Sequence, residues 1–303
     1  MYPKRLHWIR PIVFVDRFNY SLMLITACSD LIPTLAPTPT PETAENPTIL
    51  SNIEKFNKEI DLDPSAAYYN RGIFYFELDQ NKRAIEDFDK AIQLDPDYAD
   101  AYVNRGVSYV ELGQYERAIE DFDKAIQLDP DYAAAYSNRG VSYGNLAQYD
   151  RQLLDYNKAI QVDPDNAFAY YNRGKSFGEL GQNEREIEDY NKAIQLDPDY
   201  ADAYYNRGIA YVELGQYERA IEDFDKVIQL DPDYAAAYVN RGIIYFELGQ
   251  YERAIEDFDK AVELNPSDGW AYRGRGISYD FLGQHESAQK DYSKSCSLDR
   301  QLC

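Results

Sequence analysis

Six asparagines recur at a spacing of 34 residues: Asn70, Asn104, Asn138, Asn172, Asn206 and Asn240, each followed by Arg-Gly. A primary amide carries donors and an acceptor. Such a line can therefore hydrogen-bond successive peptide groups of an extended ligand without reading its side chains. Basic residues in the same register are few, Lys175 and Arg273. No Ser-His-Asp set or phosphate loop occurs, and the two histidines are His7 and His285. The three cysteines, Cys28, Cys296 and Cys303, show no CxxC or metal-ligand spacing, so neither a disulfide framework nor a zinc site is expected. Acidic runs such as "EDFDKAIQLDPDYADA" lack the glycine turn and ligand register of a calcium loop. The residues point to recognition without a cofactor, metal or catalytic group.

Asparagine and arginine inside a packed helix cost stability unless they find partners, so the elements around them matter. The 34-residue period runs from 65 through units starting at 99, 133, 167, 201, 235 and 269, and ends at Leu302. Periods of this length signal stacked helical repeats. Each unit reads as two helices. In the fifth, Tyr204, Gly208 and Tyr211 mark the first helix, and Gly215 ends it. Ala220, Phe224 and Val227 mark one face of the second helix. Pro232 closes the unit, and Asp233 is expected to cap the next helix. The glycine and alanine positions are small because the paired helices cross there. Arginine at position 7 of every unit, Arg71 to Arg275, accompanies aspartate at position 23, Asp87 to Asp291, which predicts a structural ion pair within or between units.

Tyr204, Gly208, Tyr211, Ala220, Phe224 and Pro232 resemble the signature residues of the tetratricopeptide repeat family. The likeness covers 65–302, seven units in register. It implies an all-α, right-handed superhelix of antiparallel helix pairs with a concave groove lined by the first helices, and a peptide or protein partner. In the family, positions 2, 5, 6, 9, 12 and 13 face the groove, which places the six asparagines along it; the alternative is that each asparagine only bonds its neighbouring helix or solvent. A similar ladder lines the repeats of O-linked N-acetylglucosamine transferases as a grip on peptide backbone. With packed helices roughly 8–10 Å apart, such a ladder would run on the order of 40–50 Å and match about 12–15 extended residues. The family's basic carboxylate clamp is not matched: position 9 holds Ile73, Val107, Val141, Lys175, Ile209, Ile243 and Ile277, and position 13 is mostly glutamate. A basic and apolar segment is the expected partner.

Units three and four depart from the others. Gln152 and Glu186 replace the crowded alanine, Gly144 and Gly178 replace Phe or Val at position 12, and Phe168 and Lys175 enter groove positions. The larger side chains are expected to crowd the helix pair, and the glycines to leave a hollow beside Lys175 that admits one bulky or acidic ligand residue. At the ends, residues 51–64 read as a capping half-repeat, and Ser287, Gln289, Ser293, Ser295 and Ser297 wet the last helix.

The chain has 303 residues and a net charge of -22, which sets nucleic acid aside because phosphate binding needs a basic face. Residues 1–28 are basic, with Lys4, Arg5, Arg10 and Arg17 against Asp16, and carry the apolar pieces "PIVFV" and "LMLITA". "ITAC" resembles a bacterial lipobox, which implies lipidation at Cys28, a tether over 29–50, and anchoring outside the cytoplasm. Asp16, Arg17 and Asn19 interrupt the apolar run, and the alternative is a disordered extension on a cytoplasmic protein. Membrane contact is expected only through that anchor. The leading functional reading is a non-enzymatic scaffold. The alternatives are the repeat portion of a glycosyltransferase lacking its catalytic domain and a structural assembly factor.

Overall fold

The computed structural model describes residues 47–59, 63–299 and 302. The lipobox, Cys28 and most of the tether lie outside the described residues. The described residues are all-helical, and the chain divides into two compact bodies, one ending at Ser176 and one running from Phe177.

The first body opens with α1 (Pro47–Glu59) and continues as the pairs α2 (Pro64–Glu77) and α3 (Asn81–Leu94), α4 (Ala99–Glu111) and α5 (Tyr115–Leu128), and α6 (Ala133–Asn145) and α7 (Tyr149–Val162). The second holds α10 (Ala201–Glu213) and α11 (Tyr217–Leu230), α12 (Ala235–Glu247) and α13 (Tyr251–Leu264), and α14 (Gly269–Phe281) and α15 (His285–Leu298), preceded by α9 (Asn183–Leu196). The boundary falls inside α8 (Ala167–Glu179). Within each body, every first helix packs on its own second helix and on the second helix of the repeat before it. First helices of neighbouring repeats also touch: α2 with α4, α4 with α6, and α12 with α14.

The apolar periodicity explains the packing. Ala84, Phe88 and Ala91 on α3 and Ala118, Phe122 and Ala125 on α5 are fully buried. The expected close crossing is present: a Cβ on Gly106 would stand 2.7 Å from the Phe122 ring. Leu112-Gly113-Gln114 joins the two helices, and Gly113 takes a φ of +69°. The third repeat has Ala147 at the same place, at φ +56°. The left-handed region costs an L-residue about 1–2 kcal/mol. Ala147→Gly is therefore expected to stabilise the first body by about 1 kcal/mol in denaturant unfolding, and unchanged or lower stability would contradict this.

Three expectations need correction. Helix α1 starts at Pro47, four residues ahead of the expected half-repeat, because proline is tolerated in the first turn of a helix. Asp233 does not cap α12. Its own N–H donates to Asp231 Oδ1 at 3.0 Å, and Tyr234 occupies the cap without a side-chain bond. The preceding aspartate thus closes the turn, as Asp95, Asp129, Asp163 and Asp197 do. Finally, Cys296 is disulfide-bonded, and its partner lies outside the described residues. Leu302 is buried, and its carbonyl accepts from the Arg273 guanidinium, which removes Arg273 from the free groove cations.

Tyrosines give the fold a pH limit. Burial, with the charges of Asp100, Asp63 and Asp95, pushes Tyr98 up to about 12. Burial and its bond to Asp100 raise Tyr132 as well, and burial raises Tyr109, Tyr245 and Tyr279. A folded-state value above the unfolded value of about 10 stabilises the protonated native state. This contribution is complete below pH about 10 and is lost as pH rises through about 12. Alkaline unfolding followed by circular dichroism should therefore coincide with tyrosinate absorbance above pH about 10. A fold unchanged through full tyrosine ionisation would contradict it.

Candidate peptide-binding face

Each letter of the recurring Asn-Arg-Gly has a structural partner. The arginine is a clamp. Arg71, Arg105, Arg139, Arg207, Arg241 and Arg275 each donate through Nε and Nη2 to both oxygens of the aspartate sixteen residues on, at 2.6–2.9 Å. The third nitrogen, Nη1, reaches sixteen residues back into the preceding repeat: Arg105 to Asp89, Arg139 to Asp123, Arg173 to Asn157, Arg207 to Asn191, Arg241 to Asp225 and Arg275 to Asp259, at 2.5–2.7 Å. The guanidinium also lies over the tyrosine ring three residues earlier, as Arg105 does over Tyr102 at 5.5 Å. The predicted ion pair is thus present, and it joins repeats as well as helices. Burial works against the charge of Arg105 and Arg139, but the bonds from their aspartates outweigh it and raise both guanidiniums. Burial in turn pushes Asp121 and Asp155 up against the pull of their arginines.

The asparagines sit on the first helices, but most are less open than the sequence suggests. Asn104, Asn138, Asn172 and Asn240 are 2–6% exposed, Asn206 is half-buried, and Asn70 is exposed. The amide nitrogen is largely committed. Asn104 donates to the Asp100 carbonyl at 2.9 Å and to the Tyr69 hydroxyl of the preceding repeat at 3.0 Å. Asn172 and Asn206 donate to the carbonyls four residues back, and Asn240 donates to the Tyr205 hydroxyl at 2.8 Å. These bonds fix the amide planes. Among the described residues, none donates a hydrogen bond to the amide oxygens of Asn104 and Asn172. Asn138 differs, because its Oδ1 is buried and unpartnered.

Family models described as "Tetratricopeptide repeat" match 205–269 and 272–302, and one described as "TPR repeat" matches 72–113, 106–146, 148–181 and 177–215. The chain belongs to the tetratricopeptide repeat family. Among solved members, it is similar to MamA at 27% identity over 56% of this chain and 92% of that one, with a TM-score of 0.52. It is similar to YrrB, described as a TPR protein with an unusual peptide-binding site, at 28% identity over 61% of this chain and 95% of that one, with a TM-score of 0.50. PilF of Pseudomonas aeruginosa shares the fold, at 20% identity over 67% of this chain and 92% of that one, with a TM-score of 0.62. No curated protein matches the sequence.

The tetratricopeptide groove positions divide into packed and open sets. Val107, Val141 and Ile209 at position 9 are 2–5% exposed and form part of the wall, whereas Ile73, Ile243 and Ile277 of the expected apolar strip are half-buried. Phe168 is also packed, at 5% exposure. Lys175 is half-buried, with its ammonium 5.7 Å from the Tyr171 ring centre. The open set is acidic: Glu77, Glu111, Glu213 and Glu247 at position 13 and Asp100 at position 2. Glu77 and Glu111 are exposed, yet partial burial of the carboxylates raises both, with Asp79 adding its charge at Glu111.

The hollow expected at Gly144 and Gly178 is filled. A Cβ on Gly144 would stand 2.3 Å from Gln152 Nε2, and one on Gly178 would stand 2.4 Å from Glu186 Oε1. The long side chain at position 20 occupies the space that the glycine at position 12 leaves. Crowding and hollow cancel, a coupling hidden in sequence because each substitution looks unfavourable by itself. The buried Tyr190 hydroxyl donates to Glu186 Oε1 at 3.1 Å, so the exchange also places an acceptor beside tyrosine, where other repeats have Phe122 or Phe224.

Proposed function

We propose that the chain is a non-enzymatic scaffold that holds an extended segment of a partner protein along the face of its first helices, through asparagine oxygens and an acidic margin. The observation that carries this reading is the locked asparagine: with both Nδ2 hydrogens spent on the chain, as in Asn104, Oδ1 is fixed to accept. The preferred ligand group is therefore a main-chain N–H, and exposed Glu77 and Glu111 favour lysine or arginine beside it. The arginines and aspartates of the repeats, which a catalytic reading would recruit, are consumed in the clamps. The peptide-binding site attributed to YrrB makes the same use of the fold a reasonable expectation here.

The test uses a basic peptide selected from a displayed library on the full chain. Asn104→Ala with Asn172→Ala should weaken it about five- to a hundredfold, since each lost bond is worth about 0.5–1.5 kcal/mol. Full affinity in the folded double variant would refute the asparagine grip.

A further inference from the structure

Buried polar atoms without partners gather in the third repeat. Ser137 Oγ, Asn138 Oδ1, Gln152 Oε1 and Asn166 Nδ2 are all sealed from solvent and unbonded among the described residues, and all belong to residues 133–166. Native proteins rarely leave such groups unpaired.

The first and fifth repeats show one way in which this place is filled. There Tyr69 and Tyr98 pack with ring centres 4.8 Å apart, and Tyr205 and Tyr234 pack at 5.0 Å. The hydroxyl of the first tyrosine in each pair accepts from the asparagine of the next repeat, Asn104 at 3.0 Å and Asn240 at 2.8 Å. In the third repeat, two periods after the first, Ser137 stands for Tyr69, Asn166 for Tyr98 and Asn172 for Asn104. Both rings and the accepting hydroxyl are gone. Ser137 Oγ and Asn166 Nδ2 are left orphaned, at 1% and 6% residue exposure. Asn172 donates to the Phe168 carbonyl and lacks the tyrosine that takes the second hydrogen in Asn104. Asn166 Oδ1 is occupied in capping α8, accepting from Ala169 N at 2.9 Å, so its nitrogen is held in one orientation.

We infer that this is a seat for one tyrosine of the bound segment. The partner's ring takes the volume of Tyr69, and its phenolic oxygen accepts from Asn166 and Asn172. The inference rests on the reading of the first-helix face as a segment-binding surface. It adds selectivity for an uncharged side chain to a grip that otherwise reads backbone and basic residues. The seat is closed over Ser137 in the structure, and the orphaned donors bias it toward opening for an oxygen acceptor. The third repeat also interrupts the acidic margin, with Asn145 at position 13 and Ala134 at position 2. An uncharged side chain meets no repelling or attracting carboxylate from these two positions.

The test is an NMR titration of the full chain with N-acetyl-tyrosinamide and, separately, N-acetyl-phenylalaninamide, read at the side-chain amides of Asn166 and Asn172. The tyrosine compound should shift both signals and bind about tenfold tighter, the value of one good hydrogen bond. Ser137→Tyr fills the seat from within and should abolish the shifts while raising the melting temperature. Asn172→Ala, which cannot overpack, should reduce affinity for the tyrosine compound alone. Equal affinity for both compounds, shifts that persist in Ser137→Tyr, or no binding of either compound would each overturn the seat. If the selected basic peptide still binds in that last case, the segment-binding face stands and only the seat fails.

Discussion

Arg139→Ala is expected to destabilise the first body by about 3–5 kcal/mol, the usual cost of removing one partner from a buried ion pair. Asp155 is 4% exposed at its side chain and would be left buried without its cation. The same substitution removes the bond to Asp123 and so loosens the second repeat from the third. Asp123→Asn is the control. Its side chain is 55% exposed, and surface pairs contribute only about 0–1 kcal/mol. Denaturant unfolding distinguishes the two. A loss for Arg139→Ala no larger than that for Asp123→Asn would show that the clamp is a surface decoration.

The second large effect lies at the exchanged pair in the third repeat. Gly144→Val alone should cost about 1–3 kcal/mol, because its side chain enters the space that Gln152 occupies. Gln152→Ala alone empties that space. Together they rebuild the arrangement of the second repeat, where Val110 faces Ala118, and they also remove the orphaned Gln152 Oε1. The double variant should therefore be at least as stable as the parent, with an interaction energy of about 0.5–3 kcal/mol. Additive losses would mean that the two positions do not share one volume.

Much of this architecture can be read from the sequence because the repeat supplies its own controls. Arginine and aspartate that co-occur sixteen residues apart in seven units predict the pair. The glycine after each arginine, as at Gly106 against Phe122, follows from helices that cross closely. What the sequence hides is relational. The third nitrogen of each arginine reaches back to a position that is aspartate in some repeats and asparagine in others, such as Asp123 and Asn157, and so gives no constant signal. Gly144 and Gln152 compensate across two helices, and either alone reads as damage. The 34-residue register puts the asparagines on the first helices, but their burial depends on Tyr69 and Tyr205 in neighbouring repeats, which vary. The open acidic margin was legible. The packing of Val107 and Val141 was not, because it depends on how tightly first helices approach one another.

The claim that the first-helix face holds the partner is tested most directly by locating a bound segment. A photo-reactive side chain placed at exposed Glu111 on α4, and in a second sample at exposed Glu120 on α5, marks the two sides of one repeat. With the selected basic peptide, crosslinking should be strong from position 111, weak from position 120, and suppressed by excess unlabelled peptide. Equal crosslinking from both positions, or capture from position 120 alone, would contradict the account.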